Sequence, residues 1–518
     1  MGLDVSYKGE QIARLSATGT ATLKLAGKTC EGDILLSYSA GGISGGGISG
    51  GGISGGGASG SAAGSDVVFY DSYDHSVVAS YSAAEFARLS ALPANPEHAG
   101  LIAQGWNWTL ENAKAYAAKY GRLTVGQMFV TDDGKTRIHI HLEPDRTTPV
   151  LGLCVNGSVS VDWGDGSEAD TLTGTSTTTM KWTSRHSYPG GGDYVISLAV
   201  NGSIAFSGSN AGSCLLCHAT TSDKRNKSYE NDIKAIEIGN GLAKIGTYSF
   251  QHCYSLTHVT IPNGVGGIDN YAFQNCYSLP GITIPNGAAK IGDYAFQKAS
   301  GLSYISLPTG ITAIGNNAFE VCHRLNAVSC PEGVKTIGSN AFHNCFDLTN
   351  AVIPDTVTKI GGYAFAACYS LRKAVIPDSV TTMESYAFSD CIGLTELTVP
   401  GSIVTMPIYA FNGCNRVIST EIMDGVSAIG NNAFNSCHNL EIVTVPASIT
   451  SIGNNSFGSC QALAEFRILA QTPPTITTNT FNDTPDDLVI YVPKGTLEDY
   501  QTAANWTAHA AKMREMEE

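Results

Sequence analysis

A chain of 518 residues carrying 45 acidic and 30 basic side chains, with a net charge of −15, is long enough for several domains. It shows no cluster of Lys and Arg that could hold a phosphate backbone, so no nucleic-acid partner is expected. No run of about 18 apolar residues offers a membrane span, and the opening MGLDVSYKGE lacks the charged stretch and apolar core of a secretory signal.

Residues 1–40 alternate polar and apolar side chains in VSYKGEQIARLSATGTATLKLAGKTCEGDILLSY, the pattern of a small β module. This stretch resembles short modules of bacteriophage tail and baseplate-associated proteins. The resemblance implies docking on virion or baseplate proteins, and the fibre analogy adds a homotrimer, with no coiled-coil heptads to support it. Residues 41–64 follow with GGISG written every five residues, a glycine density that resists a core and reads as a flexible linker.

Residues 65–148 are expected to form a small α+β module. DVVFYDSYDHSVVASYSAAEF gives strands, and TLENAKAYAAKYGR a helix with Thr109 as its N-cap. VGQMFVTDDGKTRIHIHLE predicts a hairpin turning at Asp-Gly. The strand RIHIHLE places His139, His141 and Glu143 on one face. Two readings compete there: a metal site built on His139 and His141, or the polar face of an amphipathic strand.

Residues 149–205 contain VSVDWGDGSEADTLTG and RHSYPGGGDYVISLAVNG. They resemble a PKD-like β-sandwich through Val161, Asp162, Trp163, Gly164, Asp165, Gly166 and Ser167, then His186, Tyr188, Tyr194, Ile196 and Leu198. The resemblance implies a spacer or ligand-binding fold. The Asp162/Asp165 pair lacks the spacing and closing Glu of a calcium loop. In the connector 206–230, CLLCH at Cys214–His218 fits the haem-attachment pattern but has no helical pocket around it, so no cofactor is expected.

From residue 231 the chain keeps time. Phenylalanines fall every 23 residues from Phe250 to Phe457, and nine of the ten are followed three residues later by Cys, the exception being Ala299. Each unit then gives Leu, a β-branched run and Pro, as in LTHVTIPNGVGGIDNYAF. One unit cannot bury its own Leu, Ile, Val and Phe, so the pattern predicts a stacked solenoid. A thiol repeated nine times reads as a small buried hydrophobe, reduced rather than bridged. The unit resembles the BspA-type leucine-rich repeat over residues 231–470, and residues 471–518 resemble that family's closing cap. The fold expected is mainly β and multidomain: a capped solenoid of 23-residue repeats behind a PKD-like sandwich and a small α+β module.

Solenoids bind with the strand face. Its first outward row holds His258, Tyr304, Asn350, Lys373, Glu396 and Glu465, and its second holds Glu421 and Arg467. These are the candidate ligand contacts, for a cell-surface protein or glycan receptor; no catalytic residue is assigned. Tyr248, Tyr271, Tyr294, Tyr363, Tyr386 and Tyr409 form a further column, able to stack on sugars or to pack coil on coil. The resemblances together imply a non-enzymatic receptor-binding protein on a phage or prophage tail, exposed after lysis. The alternatives are a bacterial surface adhesin and a tail-associated glycan hydrolase.

Overall fold

The computed structural model describes residues 2–7, 10–16 and 35–39 at the level of backbone, and residues 66–206, 215–217 and 230–517. The chain divides into two compact units, 1–59 and 60–518. The first is a three-stranded antiparallel sheet of β1 (Gly2–Tyr7), β2 (Glu10–Ser16) and β3 (Leu35–Ser39), in the order β2-β1-β3. The linker 41–64, Cys214 and His218 lie outside the described residues.

The second unit opens with a small α+β layer. Strands β4 (Val67–Tyr70), β5 (Val77–Tyr81), β6 (Leu101–Trp106) and β7 (Leu123–Thr131) form a sheet in the order β5-β4-β7-β6. Helix α1 (Ala83–Ala87) starts in a capping box of Ser82 and Glu85. Helix α2 (Leu110–Tyr120) starts at Thr109, whose hydroxyl accepts from Asn112 N. Its Ala113, Tyr116 and Ala117 face the buried Val67, Phe69 and Val125.

The hairpin expected after β7 does not form. β7 pairs with β4 and β6, whereas β8 (Thr136–Leu142) pairs with strands of the next layer, so the Asp-Gly turn passes the chain from one sheet to another. β8, expected within the 65–148 module, thus shares a sheet with β11 and β13. β9 (Val150–Asp162), β10 (Asp170–Trp182) and β11 (Gly192–Phe206) are long antiparallel strands. They close no separate sandwich. β11 and β9 pair at Gly157 and Gly202, each with φ of 113°, where a Cβ would meet the opposite carbonyl.

These strands form the N-terminal cap of the solenoid. β12 (Leu216–Cys217) pairs with β9. β8 pairs with β13 (Ile233–Glu237), while the end of β11 pairs with β14 (Leu242–Ile245). β13 leads in parallel to β15 (His258–Thr260), and β14 leads through Ile268 to Ile291. The cap thus feeds both ladders of the coil stack.

The solenoid has about 12 turns of roughly 23 residues. Its main ladder is an 11-stranded parallel sheet running from Gly281–Thr283 to Met513–Glu515. The second ladder is a five-stranded sheet to Thr382–Met383 and a three-stranded sheet from Thr405–Met406. The break has a chemical cause. In the neighbouring coils Gly361, Glu384 and Gly430 donate their N–H to the coil before, and Pro407 stands in that position with no N–H to give.

One continuous core runs from Ile138 to Met513, with the repeat Leu, Ile, Phe and Cys buried wherever they occur and Ala299 and Val417 buried in their places. Phe rings stack coil on coil, Phe273 on Phe296 with centroids 5.2 Å apart. At the far end helix α3 (Leu497–Thr502) closes the stack. Tyr500 and Trp506 are buried there and donate to Ala470 O and Pro474 O, each at 2.7 Å.

Candidate binding face on the solenoid

Outward residues alternate with core residues along each short strand, so the main ladder presents two rows. The first runs His258, Gly281, Tyr304, Ala327, Asn350, Lys373, Glu396, and the second Thr260, Thr283, Ser306, Ser329, Val352, Val375, Thr398. In the early coils the two rows are buried as far as Ser306, and Ala327 is half-buried. The α+β layer lies across them, its β7 buried along its whole length.

The cover is held by hydrogen bonds and one ring stack. Asn107 Nδ2 donates to Ile284 O and Ser306 O, Trp108 Nε1 to Leu307 O at 2.9 Å, and Tyr116 OH to Cys330 O at 2.8 Å. Ser306 Oγ donates to Thr124 O at 2.9 Å. Tyr70 stacks on Tyr304 with centroids 4.0 Å apart. Gly281 makes room for that ring, since a Cβ there would fall inside it. Burial raises the Tyr304 and Tyr116 hydroxyls well above their ordinary pKa.

Two of the expected contacts lie beneath this cover. His258 and Tyr304 point outward from their strands, yet only 9% and 2% of their surface is exposed, because the chain's own α+β layer sits on them. Thr260, also outward, is buried for the same reason. Asn350 is half-buried at the margin of the cover. Lys373, Glu396, Glu421 and Arg467 are exposed and Glu465 half-buried. The second row's Val375 is 57% exposed.

The open rows begin at a defined edge. Lys119 at the end of α2 pairs with Glu332 at 2.7 Å and Asp355 at 3.0 Å, and Tyr120 OH donates to Glu332 at 2.8 Å. Beyond this clasp lies a depression of about 460 Å³ between Lys119, Tyr120, Asn350, Val352, Lys373 and Val375. It shares Lys373 and Val375 with a second, of about 280 Å³, that reaches Glu396, Thr398 and Met423. Lys373 and Glu396 pair across neighbouring coils at 2.7 Å. Farther on, Arg467 Nε donates to Glu465 at 3.0 Å and its guanidinium lies 5.8 Å from the Tyr491 ring. Glu396 and Glu465 are each engaged by a cation, which leaves them unlike the acid/base pair of a glycosidase.

His139 and His141 do not converge. His139 lies 3.4 Å from Glu237, and His141 Nδ1 lies 2.7 Å from Asp193. Arg137, 3.6 Å from the same Glu237, competes for that carboxylate. Among the described residues no group of three His, Cys, Asp or Glu is arranged to hold a metal ion. The tyrosine column packs on itself: Tyr386 stacks on both Tyr363 and Tyr409 with centroids 4.5 Å away, so its ring faces are not free for a sugar. In the 149–205 strands, Asp165 bonds His186 at 2.8 Å and His186 stacks on Trp163, which makes this a packing cluster.

The fold and this face define a leucine-rich-repeat solenoid with part of its strand surface occupied by its own chain. Residues 224–349 and 335–464 match the family described as BspA type Leucine rich repeat region (6 copies), and this stretch of the chain is built of those repeats. Among solved structures, a leucine-rich repeat protein from Bacteroides ovatus is 25% identical; the match covers 55% of this chain and 85% of that one, with a TM-score of 0.41. A leucine rich cell surface protein from Faecalibacterium prausnitzii is 29% identical over 46% of this chain and 73% of its own, with a TM-score of 0.33. Comparison with curated proteins finds no match. Among the described residues no helix is long and apolar enough to cross a membrane.

Proposed function

We propose that this is a non-enzymatic adhesion protein whose partner docks on the open strand face between Asn350 and Arg467. One observation carries the reading. Where the α+β layer stops, the outward rows change from uncharged residues, mostly Gly, Ala, Ser and Thr beside His258 and Tyr304, to Lys373, Glu396, Glu421 and Arg467, around apolar Val375. A charged margin around an accessible apolar floor suits recognition of a protein or glycan on a cell surface. A surface location is also what repeats of this class imply.

The particular setting we favour is a phage or prophage tail. Residues 1–40 would dock on virion or baseplate proteins, residues 41–64 would act as tether, and the solenoid would reach for the host. The resemblance of residues 1–40 to tail-associated modules supports it. Mass spectrometry separates this from a bacterial surface adhesin: recovery in purified particles favours the tail, and recovery on the envelope of uninfected cells favours the adhesin.

Binding itself is tested with the fluorescently labelled full chain on a panel of intact bacteria and isolated cell-wall glycans. The expected result is saturable staining of particular strains, weakened at least tenfold by Lys373→Glu combined with Val375→Asp. Staining that ignores both changes, or no staining anywhere, would remove the open face from the account.

A further inference from the structure

The α+β layer and the solenoid have separate hydrophobic cores. Val67, Phe69, Phe86, Trp106 and Trp108 belong to one cluster, to which the solenoid lends only Val352. The continuous core from Ile138 to Met513 is the other. Two self-sufficient cores joined by a polar, hydrogen-bonded interface are able to part without either unfolding. The layer is joined to the cap at the Asp132–Lys135 turn, where β7 ends and β8 begins.

Titratable groups gather at one end of that interface. His75 Nδ1 meets the Tyr304 hydroxyl at 2.9 Å and its Nε2 meets Thr257 O at 3.1 Å. His98 Nε2 pairs with Asp71 at 2.7 Å. His258 lies beneath, edge-on to Tyr73 at 4.7 Å and 6.2 Å from the His75 ring. Neither nitrogen of His258 has a partner of hydrogen-bond geometry. Facing His258 are Tyr73 and His75 from the cover, His139 from β8 and Glu237 from β13; Asp71 and Asp74 act on His75, with His98 paired to Asp71 and Arg137 beside Glu237.

Burial, then the neighbouring His75, hold the His258 pKa down to about 4, although Glu237 pulls the other way. Burial lowers His75 as well. With the cover lifted, both rings would stand in water, where an imidazole titrates near 6.5.

We infer that the α+β layer is an acid-released lid: protonation of His258 and His75 drives it off the early coils and uncovers a second strand face around Gly281, Tyr304, Ser306 and Ser329. The direction follows from proton counting. The closed form binds fewer protons than the open form between about pH 6.5 and pH 4, so closure is at full strength at neutral pH and is lost as pH falls through that window. Going from pH 7 to pH 5, His258 alone would raise the open fraction about 20-fold. The carboxyls nearest these histidines, Glu237 and Asp74, are held below their ordinary range and stay ionised at pH 5, whereas burial raises Asp232, at the base of β8, to about 6, so it also takes up a proton in this window.

The test is amide hydrogen exchange on the full chain at pH 7 and pH 5, corrected for intrinsic rates. Amides of β7 report the lid, and those of the strand Ile442–Val445 report the solenoid. The expected result is at least tenfold more frequent opening of β7 at pH 5, with 442–445 unchanged, and a response cut to a few-fold in His258→Gln and His258→Phe. Equal opening of β7 at the two pH values overturns the inference. So does parallel loosening of 442–445, or a full acid response in both variants.

Discussion

At the scale of single residues, the repeated cysteine is a hydrogen-bond donor inside the core. From Cys322 to Cys460 each thiol donates to the Phe carbonyl 26 residues back, at 3.1 Å for Cys322 and 3.3 Å for Cys460. All nine are fully buried, and those from Cys322 to Cys460 are free thiols. Burial pushes the Cys391 and Cys460 thiols up to about 12, so neither is a nucleophile at neutral pH. Cys368→Ala removes the bond to Phe342 O at 3.2 Å and leaves a small void. It should cost about 1–2 kcal/mol, read as a lower urea midpoint with an unchanged slope. The natural Ala299 shows that one coil tolerates the loss. This role is visible in the sequence as far as "small, buried and repeated"; the acceptor is not, since a carbonyl leaves no mark on the residue pattern.

At the scale of elements, docking depends on shape complementarity at Gly281. The Tyr304 ring lies over that glycine to reach Tyr70 and His75. Gly281→Ala should push the ring aside, break the stack and weaken docking by about 1–3 kcal/mol. Faster exchange of β7 amides at pH 7, with the coils from Asn350 onward unaffected, checks it. Individual elements were largely legible. Thr109 caps its helix, and the Ile138, Ile140, Leu142 face of β8 is buried against the solenoid core, because local pattern decides both. The β7–β8 hairpin was misread because an Asp-Gly turn fixes a local reversal and not the partner of either strand. Likewise the strands of 149–205 alternate as a sandwich would, yet the end of β11 pairs with β14 at the start of the coil stack, which sequence spacing does not encode. The closing strand Met513–Glu515 carries no mark in the sequence for the same reason.

At the scale of the whole molecule, the solenoid was legible because each coil repeats the same solution to the same packing problem. The lid was not, because it breaks no period. Its one trace is that Gly281, Thr283, Ser306, Ala327 and Ser329 are small, with Tyr304 and His258 the exceptions, where Lys373, Glu396 and Glu421 are large and charged. Two separate cores have a consequence for unfolding. A stack that shares one core from cap to cap should melt as few cooperative units, whereas the lid can be lost first, since among the described residues Val352 is the only solenoid side chain in its core. The tryptophans allow the two to be watched apart. Trp106 and Trp108 belong to the lid, and Trp506 is buried in the terminal cap. In guanidinium, a variant with Trp163, Trp182 and Trp506 replaced by Phe should report an early transition. One retaining only Trp506 should report a later and steeper transition, because the slope grows with the surface exposed. Coincident midpoints for the two would mean that the polar interface couples lid to solenoid too strongly to open alone. In that case acid could not lift the lid without unfolding the coils beneath it.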